Sequence, residues 1–419
     1  MVRSPLGRYE LPSPAGCSNP MVIPKSSHPR VRCGIDSVEV ARIERLLRET
    51  CDGDLLKIFS RDELSDCGDD VGRAARLAAR FAAKEACLKL FPRETAMGII
   101  GPGDFAVARD GYGAPLVVCS ATALDVLGRY RLQTIALSLT HDKLSASAVA
   151  VSEPARIEVP ITGRLIFHLL PIRRRVVLSN LRRVFGDVAP EAEIVRLAQA
   201  HYAHLASVAA EVLKHLWRPP IVRVDNIDAI LRAGAQGKGV LVLTGHFGNW
   251  EVATVAGIAK FPQYRGRFYF VRRPLVPQWL DRLVTWRFRR AGLGVLPKRG
   301  ALDAILERLA ADDAVVFVLD QHATGRDAVT TEFFGHPAGT FRSLAILALS
   351  TGAPVVPSTT WREPDGSHVL RFEEALPVIE SDDTNEAIRA NTRAYNAALE
   401  RFVLRHPEQW FWVHRRWKG

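Results

Sequence analysis

The sequence lacks a long uncharged apolar run. A helix that spans a bilayer needs roughly 20 consecutive apolar residues. The longest uncharged stretch with a folded pattern runs from Ser343 to Trp361 and is interrupted by Gly352, Pro354 and Pro357. This stretch predicts a core helix followed by a strand. Because no secretory signal peptide is visible either, we expect a cytoplasmic chain that does not span a membrane.

Cysteine is scarce and confined to one part of the chain. All six cysteines precede residue 120, and none belongs to a Cys-x-x-Cys pair or to a Cys/His cluster with zinc spacing. We therefore expect reduced thiols in a cytosolic protein.

Acidic residues are outnumbered by basic ones, 45 to 56, so the net charge is +11. A basic surface favours nucleic acid, anionic membranes, phosphorylated substrates or acidic proteins, although it can also serve solubility alone. No zinc-finger, RNA-recognition or basic-zipper pattern is present, so we expect no nucleic-acid partner.

The length of 419 residues suggests two or three domains. Residues 1–29 contain six prolines and no hydrophobic periodicity, so they are predicted to be disordered. Residues 30–152 and 163–419 are predicted to form two domains. The segment 153–162 combines proline and charge in the manner of a linker.

Two segments early in the first domain hold grouped polar residues. Residues 34–39 end a short strand and lead into an amphipathic helix. Residues 77–90 are strong helix formers and place Glu85 and Lys89 four positions apart. The two could form only an ordinary surface ion pair, or they could share a functional face.

A third segment of this domain has the alternation of a β-hairpin. Residues 134–139 and 145–151 flank a polar turn, and His141 ends the first strand. The three segments together resemble the holo-acyl-carrier-protein synthase family of 4′-phosphopantetheinyl transferases. Its marks are Gly-Ile-Asp-x-Val-Glu, Phe-Ala-Ala-Lys-Glu-Ala-x-x-Lys and Ser-(Ile/Leu)-Ser-His, and the resemblance covers residues 31–152.

This resemblance implies an α+β domain that transfers phosphopantetheine from coenzyme A to a serine of an acyl carrier protein. It implies that Asp36 and Glu85 bind Mg²⁺, a hard cation that prefers carboxylate oxygens and substrate phosphates. Lys89 is implied near the serine or the pyrophosphate, as a base or a charge stabiliser. Small members of the family form trimers with shared active sites, so a homotrimer is implied here.

The same resemblance implies roles for three further residues. Lys84 and Arg80 would assist phosphate binding, and His141 would contact coenzyme A, although alone it would be a turn histidine. The sequence departs from the family pattern at Ser37, at Thr140 and at the middle residue of 113–115, where a basic residue is usual. The last departure puts one phosphate contact in doubt.

After the linker, residues 165–172 form an apolar segment that leads into the arginine clusters 173–175 and 182–183. Such a segment could lie on an anionic bilayer. A core helix with solvated ends explains it equally well.

The second domain is organised around the segment 239–251. The uncharged residues 240–243 predict a buried strand, and His246 follows its carboxyl end, where α/β sheets hold catalytic groups. Glu251 opens the next helix, so it could orient the imidazole as a general base. A solvated histidine beside a helix-stabilising acid remains an equal alternative on these two residues alone.

The sequence around this segment resembles the late lipid A acyltransferases of the lauroyl or myristoyl type, which carry a His-x4-(Asp/Glu) motif. The resemblance covers residues 163–418 and includes, in order, the segments 174–181, 270–274, 319–321, 333–338, 351–357 and 407–416. It implies an α/β domain that transfers an acyl chain from acyl carrier protein to a lipid hydroxyl. The absence of a predicted spanning helix departs from the family, which begins with a membrane anchor.

Three more residues of this domain are candidates for substrate binding. Arg273 follows a predicted strand near the implied acyl-transfer site, and a guanidinium suits a phosphate or a developing oxyanion. Asp320 ends another buried strand and could orient the substrate or cap the next segment. Thr340 and Arg342 open a helix and could help to hold a phosphate.

The leading hypothesis is a bifunctional transferase that shares acyl carrier protein, acidic in both families, between two reactions. The acceptor could be a lipid A precursor or, given the missing anchor, a lysophospholipid, an ornithine-type lipid or a secondary-metabolite alcohol. One half could instead be a non-catalytic docking module for the carrier. We expect the protein at the inner face of the cell membrane, in peripheral contact with anionic lipid.

Overall fold

A computed structural model describes residues 31–418, except 94–97, 155–156, 171, 216–217, 219, 262–263, 273, 275 and 298–299. The segment predicted to be disordered, 1–29, and Arg273 lie outside the described residues. Within the described ranges, no helix is both long and apolar enough to cross a membrane. The five described cysteines are free.

The N-terminal part is built on a three-stranded antiparallel sheet. It consists, in spatial order, of β1 (Arg32–Glu39), β5 (Ser145–Pro154) and β4 (Leu132–His141). A second ribbon pairs β2 (Phe105–Arg109) with β3 (Pro115–Cys119). The helices of this part are α1 (Val40–Glu49), α2 (Asp52–Leu55), α3 (Arg61–Asp66), α4 (Arg73–Leu88) and α5 (Ala121–Arg129).

Small side chains bring α4 close to the sheet. Ala82 and Ala86 of α4, and Ala148 and Ala150 of β5, are at most 1% exposed and belong to one core. The approach is closest at Gly34, where an added Cβ would lie 2.0 Å from the carbonyl oxygen of Ala86. Glycine is therefore required at this point, and the contact fixes β1 against the end of α4.

The C-terminal part is built on a seven-stranded sheet with the order β6-β14-β13-β7-β10-β8-β9. Five strands are parallel, while β14 and β6 run in the opposite direction. Its strands are β6 (Val222–Asp225), β7 (Val240–Thr244), β8 (Phe268–Arg272), β9 (Leu293–Pro297), β10 (Ala314–Val318), β13 (Val355–Arg362) and β14 (His368–Phe372). A separate hairpin pairs β11 (Ala328–Phe333) with β12 (His336–Phe341).

Helices cover both faces of this sheet. They are α6 (Ile161–Leu169), α7 (Arg174–Phe185), α8 (Glu191–Lys214), α9 (Ile227–Gly234), α10 (Trp250–Ala259), α11 (Gln278–Arg290), α12 (Leu302–Ala310), α13 (Ser343–Thr351) and α14 (Thr384–Arg405). Alternate residues of β7 enter different cores: Leu241 and Leu243 on one side, Val240 and Val242 on the other. Burial of both faces explains why β7 has an uninterrupted apolar sequence.

The two parts also contact each other. Arg131 and Glu193, each less than 10% exposed, approach to 3.4 Å across the boundary. An added Cβ at Gly128 of α5 would lie 3.1 Å from the Cβ of Leu404 in α14. The segment predicted as a linker begins within β5 and continues to the start of α6, and Ile157 within it packs into the C-terminal core.

Candidate active sites

The loop after β7 places His246 at the carboxyl edge of the large sheet. Gly248 has a φ of +54°, and an added Cβ there would lie 2.8 Å from the carbonyl oxygen of Thr360. The backbone N–H of Gly248 donates to the carbonyl oxygen of Gln409 at 3.0 Å, and the Thr360 hydroxyl donates to the Phe247 carbonyl oxygen at 2.7 Å. Strand β13 and the C-terminal segment therefore hold this loop on two sides.

Asp320 is the carboxylate that holds the imidazole of His246. Its Oδ1 lies 2.9 Å from Nδ1 of His246, and its Oδ2 accepts the backbone N–H of the same residue at 2.7 Å. The indole N–H of Trp410 donates to Oδ2 at 2.9 Å. Burial alone would raise the pKa of Asp320, but the charge of the His246 imidazole and these three hydrogen bonds hold it at about 2.

The register of the sheet explains this pairing. Thr244 of β7 and Val318 of β10 are parallel partners. His246 and Asp320 each follow two residues later, so both lie at the same edge of adjacent strands. Asp320 was predicted to orient the substrate or to cap the next segment; the structure adds a contact that this prediction did not include, because the carboxylate faces the histidine.

His246 is poised to exchange a proton. Burial lowers its pKa, but the charge and hydrogen bond of Asp320 outweigh that effect, so the pKa lies above its ordinary value. The side chain is still 23% exposed. Because Nδ1 is engaged by Asp320, Nε2 is the ring nitrogen left for a substrate. Trp250 and Phe411 flank the ring, with centroids 6.1 and 5.7 Å away.

Glu251 does not take the orienting position expected from the sequence. It lies in the first turn of α10, and among the described residues no hydrogen bond joins it to His246. Burial raises its pKa, while the charges of Arg287, Arg272 and His246 act in the opposite direction. The reason is geometric: the adjacent strand β10, rather than the following helix, delivers a carboxylate to Nδ1.

An apolar cavity of about 370 Å³ lies at the amino-terminal edge of β7, β8 and β10, on the face of the sheet covered by α9 and α10. Its walls include Ile230 and Phe261. A smaller cavity of about 20 Å³ shares Phe268 with it and reaches Trp250, which contacts His246.

We expected Thr340 and Arg342 to hold a phosphate together, but the structure places their side chains in different surroundings. Thr340 is fully buried, and its hydroxyl accepts hydrogen bonds from Arg416 and Asn396 at 2.7 and 3.2 Å. The expectation for Thr340 was therefore wrong, because the side chain is completely buried among protein groups. Arg342 instead lines a second cavity, next to the start of α13.

The N-terminal site gathers Asp36, Glu85 and Lys89 where β1 meets α4. The ammonium of Lys89 donates to Oδ1 of Asp36 at 2.7 Å and to the carbonyl oxygen of Ile35 at 2.8 Å. Burial and the neighbouring charge of Asp36 raise the pKa of Glu85. Two carboxylates that repel each other in this way suit a divalent cation.

Within the described ranges, no group of three or more His, Cys, Asp or Glu side chains is arranged to hold a metal ion. A site with two carboxylates therefore fits Mg²⁺ only if phosphate oxygens or water supply further ligands, as is usual for this ion.

The expectation that Lys84 and Arg80 contact phosphate was wrong, because both side chains point into the domain. Lys84 is 0% exposed, and its ammonium donates to Glu63 at 2.9 Å and to the carbonyl oxygen of Phe105 at 2.8 Å. Arg80 is 5% exposed and lies 3.4 Å from Asp66. His141 ends β4 and is exposed, as a ligand contact requires.

Comparison with known proteins separates the chain into the same two parts. The family of bacterial lipid A biosynthesis acyltransferases matches residues 155–419, and the 4′-phosphopantetheinyl transferase superfamily matches residues 32–144. A holo-[acyl-carrier-protein] synthase of Syntrophus aciditrophicus is 36% identical over 29% of this chain and 93% of its own length. The solved structure of the Helicobacter pylori holo-[acyl-carrier-protein] synthase with coenzyme A is 28% identical, covers 29% of this chain and 99% of its own, and has a TM-score of 0.25.

The C-terminal part has relatives with different acceptors in their names. The lipid A biosynthesis palmitoleoyltransferase of Escherichia coli is 26% identical over 61% of this chain and 82% of its own length. A phosphatidylinositol mannoside acyltransferase of Mycobacterium tuberculosis is 28% identical to this chain. The match covers 54% of this chain and 66% of the length of that relative. The chain is therefore a fusion of two enzyme families: its N-terminal α+β domain belongs to the holo-acyl-carrier-protein synthases of the 4′-phosphopantetheinyl transferase superfamily, and its C-terminal α/β domain belongs to the bacterial lipid A biosynthesis acyltransferases.

Proposed function

We propose that the C-terminal domain transfers an acyl chain from a thioester, carried by acyl carrier protein, to a lipid hydroxyl. The observation that carries the proposal is the contact of His246 Nδ1 with Asp320 at 2.9 Å, which leaves Nε2 free for a substrate, with Trp250 beside the ring. Nε2 accepts the hydroxyl proton as the acceptor oxygen bonds to the thioester carbon. The C–S bond then breaks, and the leaving thiolate takes the proton back from the imidazolium.

Asp320 supports both halves of this proton movement. Its negative charge stabilises the imidazolium, and its hydrogen bond fixes the tautomer with the proton on Nδ1. Glu251 keeps a role in the proposal through charge, since it lies among Arg287, Arg272 and His246. We assign Arg273 to the oxyanion or a substrate phosphate on the strength of the motif alone.

The apolar cavity of about 370 Å³ supports an acyl substrate with a long chain. An alkyl chain placed there loses contact with water, which is favourable by about 0.8 kcal/mol for each buried methylene. The acceptor is the less defined partner. The names of the relatives support a lipid A precursor or a phosphatidylinositol mannoside, and a lysophospholipid, an ornithine-type lipid or a secondary-metabolite alcohol presents the same reactive hydroxyl.

For the N-terminal domain we propose transfer of 4′-phosphopantetheine from coenzyme A to a carrier-protein serine. Asp36 and Glu85 would hold Mg²⁺, which when bound offsets the charge of the diphosphate. The ion pair of Lys89 with Asp36 favours charge stabilisation over a role as base. The serine oxygen bonds to the pantetheine-bearing phosphorus of coenzyme A as the phosphoanhydride bond breaks. Adenosine 3′,5′-bisphosphate leaves with the electron pair of that bond, and the serine proton passes to water. His141 would contact coenzyme A.

Acyl carrier protein would then be the product of one domain and the donor for the other. Its acidic surface suits a chain of net charge +11. A homotrimer stays part of the proposal on the resemblance to the small members of the synthase family alone.

Peripheral contact with the inner face of the cell membrane is part of the proposal. On α11, Trp279 and Trp286 are 65% and 53% exposed and lie seven positions apart, on the same side as the exposed Arg282, Arg289 and Arg290. Tryptophan and arginine together suit an anionic headgroup region.

One assay separates the alternatives. Purified protein is incubated with coenzyme A, Mg²⁺ and apo-carrier, and then with acyl-carrier and the candidate lipids. Products are followed by mass spectrometry, and lipids of a deletion strain identify the natural acceptor. If only one of the two activities is observed under all conditions, the domain without activity would instead be a non-catalytic docking module.

A further inference from the structure

Helix α8 carries a row of polar side chains on its buried side. His201, His204 and Glu211 are spaced three and then seven positions apart, which places them on one side of the helix. His201 and His204 are 0% and 6% exposed, and the side chain of Glu211 is 13% exposed. Polar groups that are buried in this way need partners within the protein. His204 and Glu211 find theirs in the loop that carries His246.

Glu211 joins this loop to the end of strand β13. Its Oε1 accepts a hydrogen bond from Nε of Arg362 at 2.6 Å, and its Oε2 accepts one from Nδ2 of Asn249 at 2.9 Å. Asn249 is 2% exposed. Its own side-chain oxygen accepts the backbone N–H of Val252 at 3.4 Å and caps the first turn of α10. The donor and the acceptor of this amide are therefore both engaged, which fixes its orientation.

His204 holds the residue before Asn249. Its Nδ1 lies 3.4 Å from Nη2 of Arg362. Because a guanidinium only donates, Nδ1 accepts, and the proton of the neutral ring is on Nε2. The ring also forms a hydrogen bond with the backbone of Gly248. Burial, with the charges of His201 and Arg362, holds the pKa of His204 well below its ordinary value, so the ring is neutral at pH 7.

The C-terminal segment holds the same loop and the same arginine. The carbonyl oxygen of Gln409 accepts the backbone N–H of Gly248 at 3.0 Å. The side chain of Gln409 accepts the backbone N–H of Arg362 at 2.8 Å and donates to its carbonyl oxygen at 3.0 Å. These contacts close a ring around the base of the loop, in which α8 supplies a carboxylate and a neutral imidazole.

We propose that Glu211 is a positioning residue of the acyl-transfer site, a role that rests on the acyl transfer proposed above. Through Asn249 it fixes the loop that sets His246 against Asp320. Asp320 contacts both the backbone N–H and Nδ1 of His246, so a shift of the loop disturbs both contacts. A displacement of about 1 Å at a reacting group can lower a rate about 10²-fold.

An exchange of the two side chains tests the contact between Glu211 and Asn249. Asn249→Asp brings two carboxylates together, although aspartate caps a helix as well as asparagine does. Glu211→Gln offers one oxygen to two donors, so one contact is lost. In the combined variant the glutamine donates to the aspartate and still accepts from Arg362. The contact is then restored with its direction reversed, and the total charge is unchanged.

Each single change should lower the kcat of acyl transfer about ten-fold or more and leave the KM for acyl-carrier protein nearly unchanged. The combined variant should recover most of this loss. Asn249→Ser keeps a capping hydroxyl that is too short to reach Glu211, and it leaves the ion pair with Arg362 in place. It should lose kcat as well, even where Glu211→Gln is poorly folded. Glu193→Gln is the matched control, because it makes the same change in a buried ion pair near the other end of α8, and its kcat should equal that of the wild type.

Nuclear magnetic resonance of the full chain with ¹⁵N-labelled histidine gives a readout that does not depend on turnover. The signals of His246 are assigned by their absence in His246→Ala. Its pKa should fall in the single variants, because the contact with Asp320 raises it, and it should return in the combined variant. A defect of stability alone would not move this pKa.

The proposal is overturned if Asn249→Asp and Asn249→Ser, shown to be folded by circular dichroism, keep the wild-type kcat and the wild-type pKa of His246. An equal loss of kcat in Glu193→Gln, or a combined variant no better than the weaker single one, overturns it as well. If the wild-type protein transfers no acyl group, the proposed function fails, while the titration of His246 still decides whether Glu211 positions that ring.

Discussion

Replacement of Asp320 by Asn tests the geometry of the acyl-transfer site. The environment of Asp320 holds its pKa at about 2 rather than 3.8, which corresponds to roughly 2 kcal/mol in favour of the carboxylate. Asn keeps the size of the side chain but loses this charge. In the wild-type protein Oδ2 accepts hydrogen bonds from Trp410 and from the His246 backbone. An amide nitrogen at that position would face these two donors. Acyl transfer should therefore fall by about 10²-fold or more.

The pH dependence of the reaction gives a sharper readout than the rate alone. General-base catalysis requires a neutral imidazole, so kcat falls as the pH drops through the pKa of His246. Asp320 raises that pKa. Asp320→Asn removes the raising charge, so the acid limb should move to lower pH while the maximum rate falls. A purely structural defect would lower the rate without moving the limb.

The assay is acyl transfer from acyl-carrier protein at pH 5 to 9, with carrier modification by the N-terminal domain as the internal control. Glu251→Gln is the matched carboxylate-to-amide change, and we expect impaired transfer there as well, through lost charge. One result would show that Glu251 orients the base and that the assignment of Asp320 is wrong. In that result, Asp320→Asn transfers at the wild-type rate with an unmoved acid limb, while Glu251→Gln lowers the rate and moves the acid limb.

Four further changes test the remaining assignments. His246→Ala should lower acyl transfer by about 10²–10⁴-fold, measured beside circular dichroism, and leave carrier modification intact; a wild-type rate places the base elsewhere. Glu85→Ala should abolish Mg²⁺-dependent carrier modification, followed by mass spectrometry, and leave acyl transfer intact. Trp279→Ala with Trp286→Ala should weaken flotation with anionic vesicles, and high salt should release the wild-type protein; flotation that persists in salt and carbonate would reveal an anchor. Lys84→Met should destabilise the N-terminal domain by about 3–5 kcal/mol in urea, because it leaves the charge of Glu63 buried without a counter-charge; a raised KM for coenzyme A with normal stability would restore the phosphate contact.

The elements of the fold were largely predictable because their patterns are local. The uncharged residues of β7, the helix formers of α4 and the alternation of β4 and β5 each follow from periodicity alone, and the structure has all of them. The order of strands in the large sheet was not predictable in this way. It depends on which apolar strands pair, and β7, β8 and β10 are all short, mainly apolar strands of five residues.

The acyl-transfer site contains a contact that the sequence motif does not predict. A motif ties His246 to Glu251 because five positions separate them in the chain, but the hydrogen bond to Nδ1 comes from 74 positions away. A signal for it was present: two buried strands each end two residues before a polar side chain, at His246 and Asp320. Parallel strands bring such ends together when they are neighbours. The indole of Trp410 carried no comparable signal, since its contact with Asp320 exists only after the C-terminal segment crosses the edge of the sheet.

Lys84 illustrates the opposite error, in which a motif residue was given chemistry that burial denies it. From the sequence, a lysine between Ala83 and Glu85 on a helix is expected to have an exposed, charged side chain. Here α4 packs into the core on the side of Lys84, and Glu63 reaches in from α3 to meet the ammonium. The same carboxylate accepts the backbone N–H of Val107 at 2.9 Å, so the pair joins α3, α4 and β2. A buried ion pair costs desolvation that its attraction only partly offsets. We infer that its contribution is to fix the register of these three elements, and thereby the end of α4 on which Glu85 and Lys89 stand.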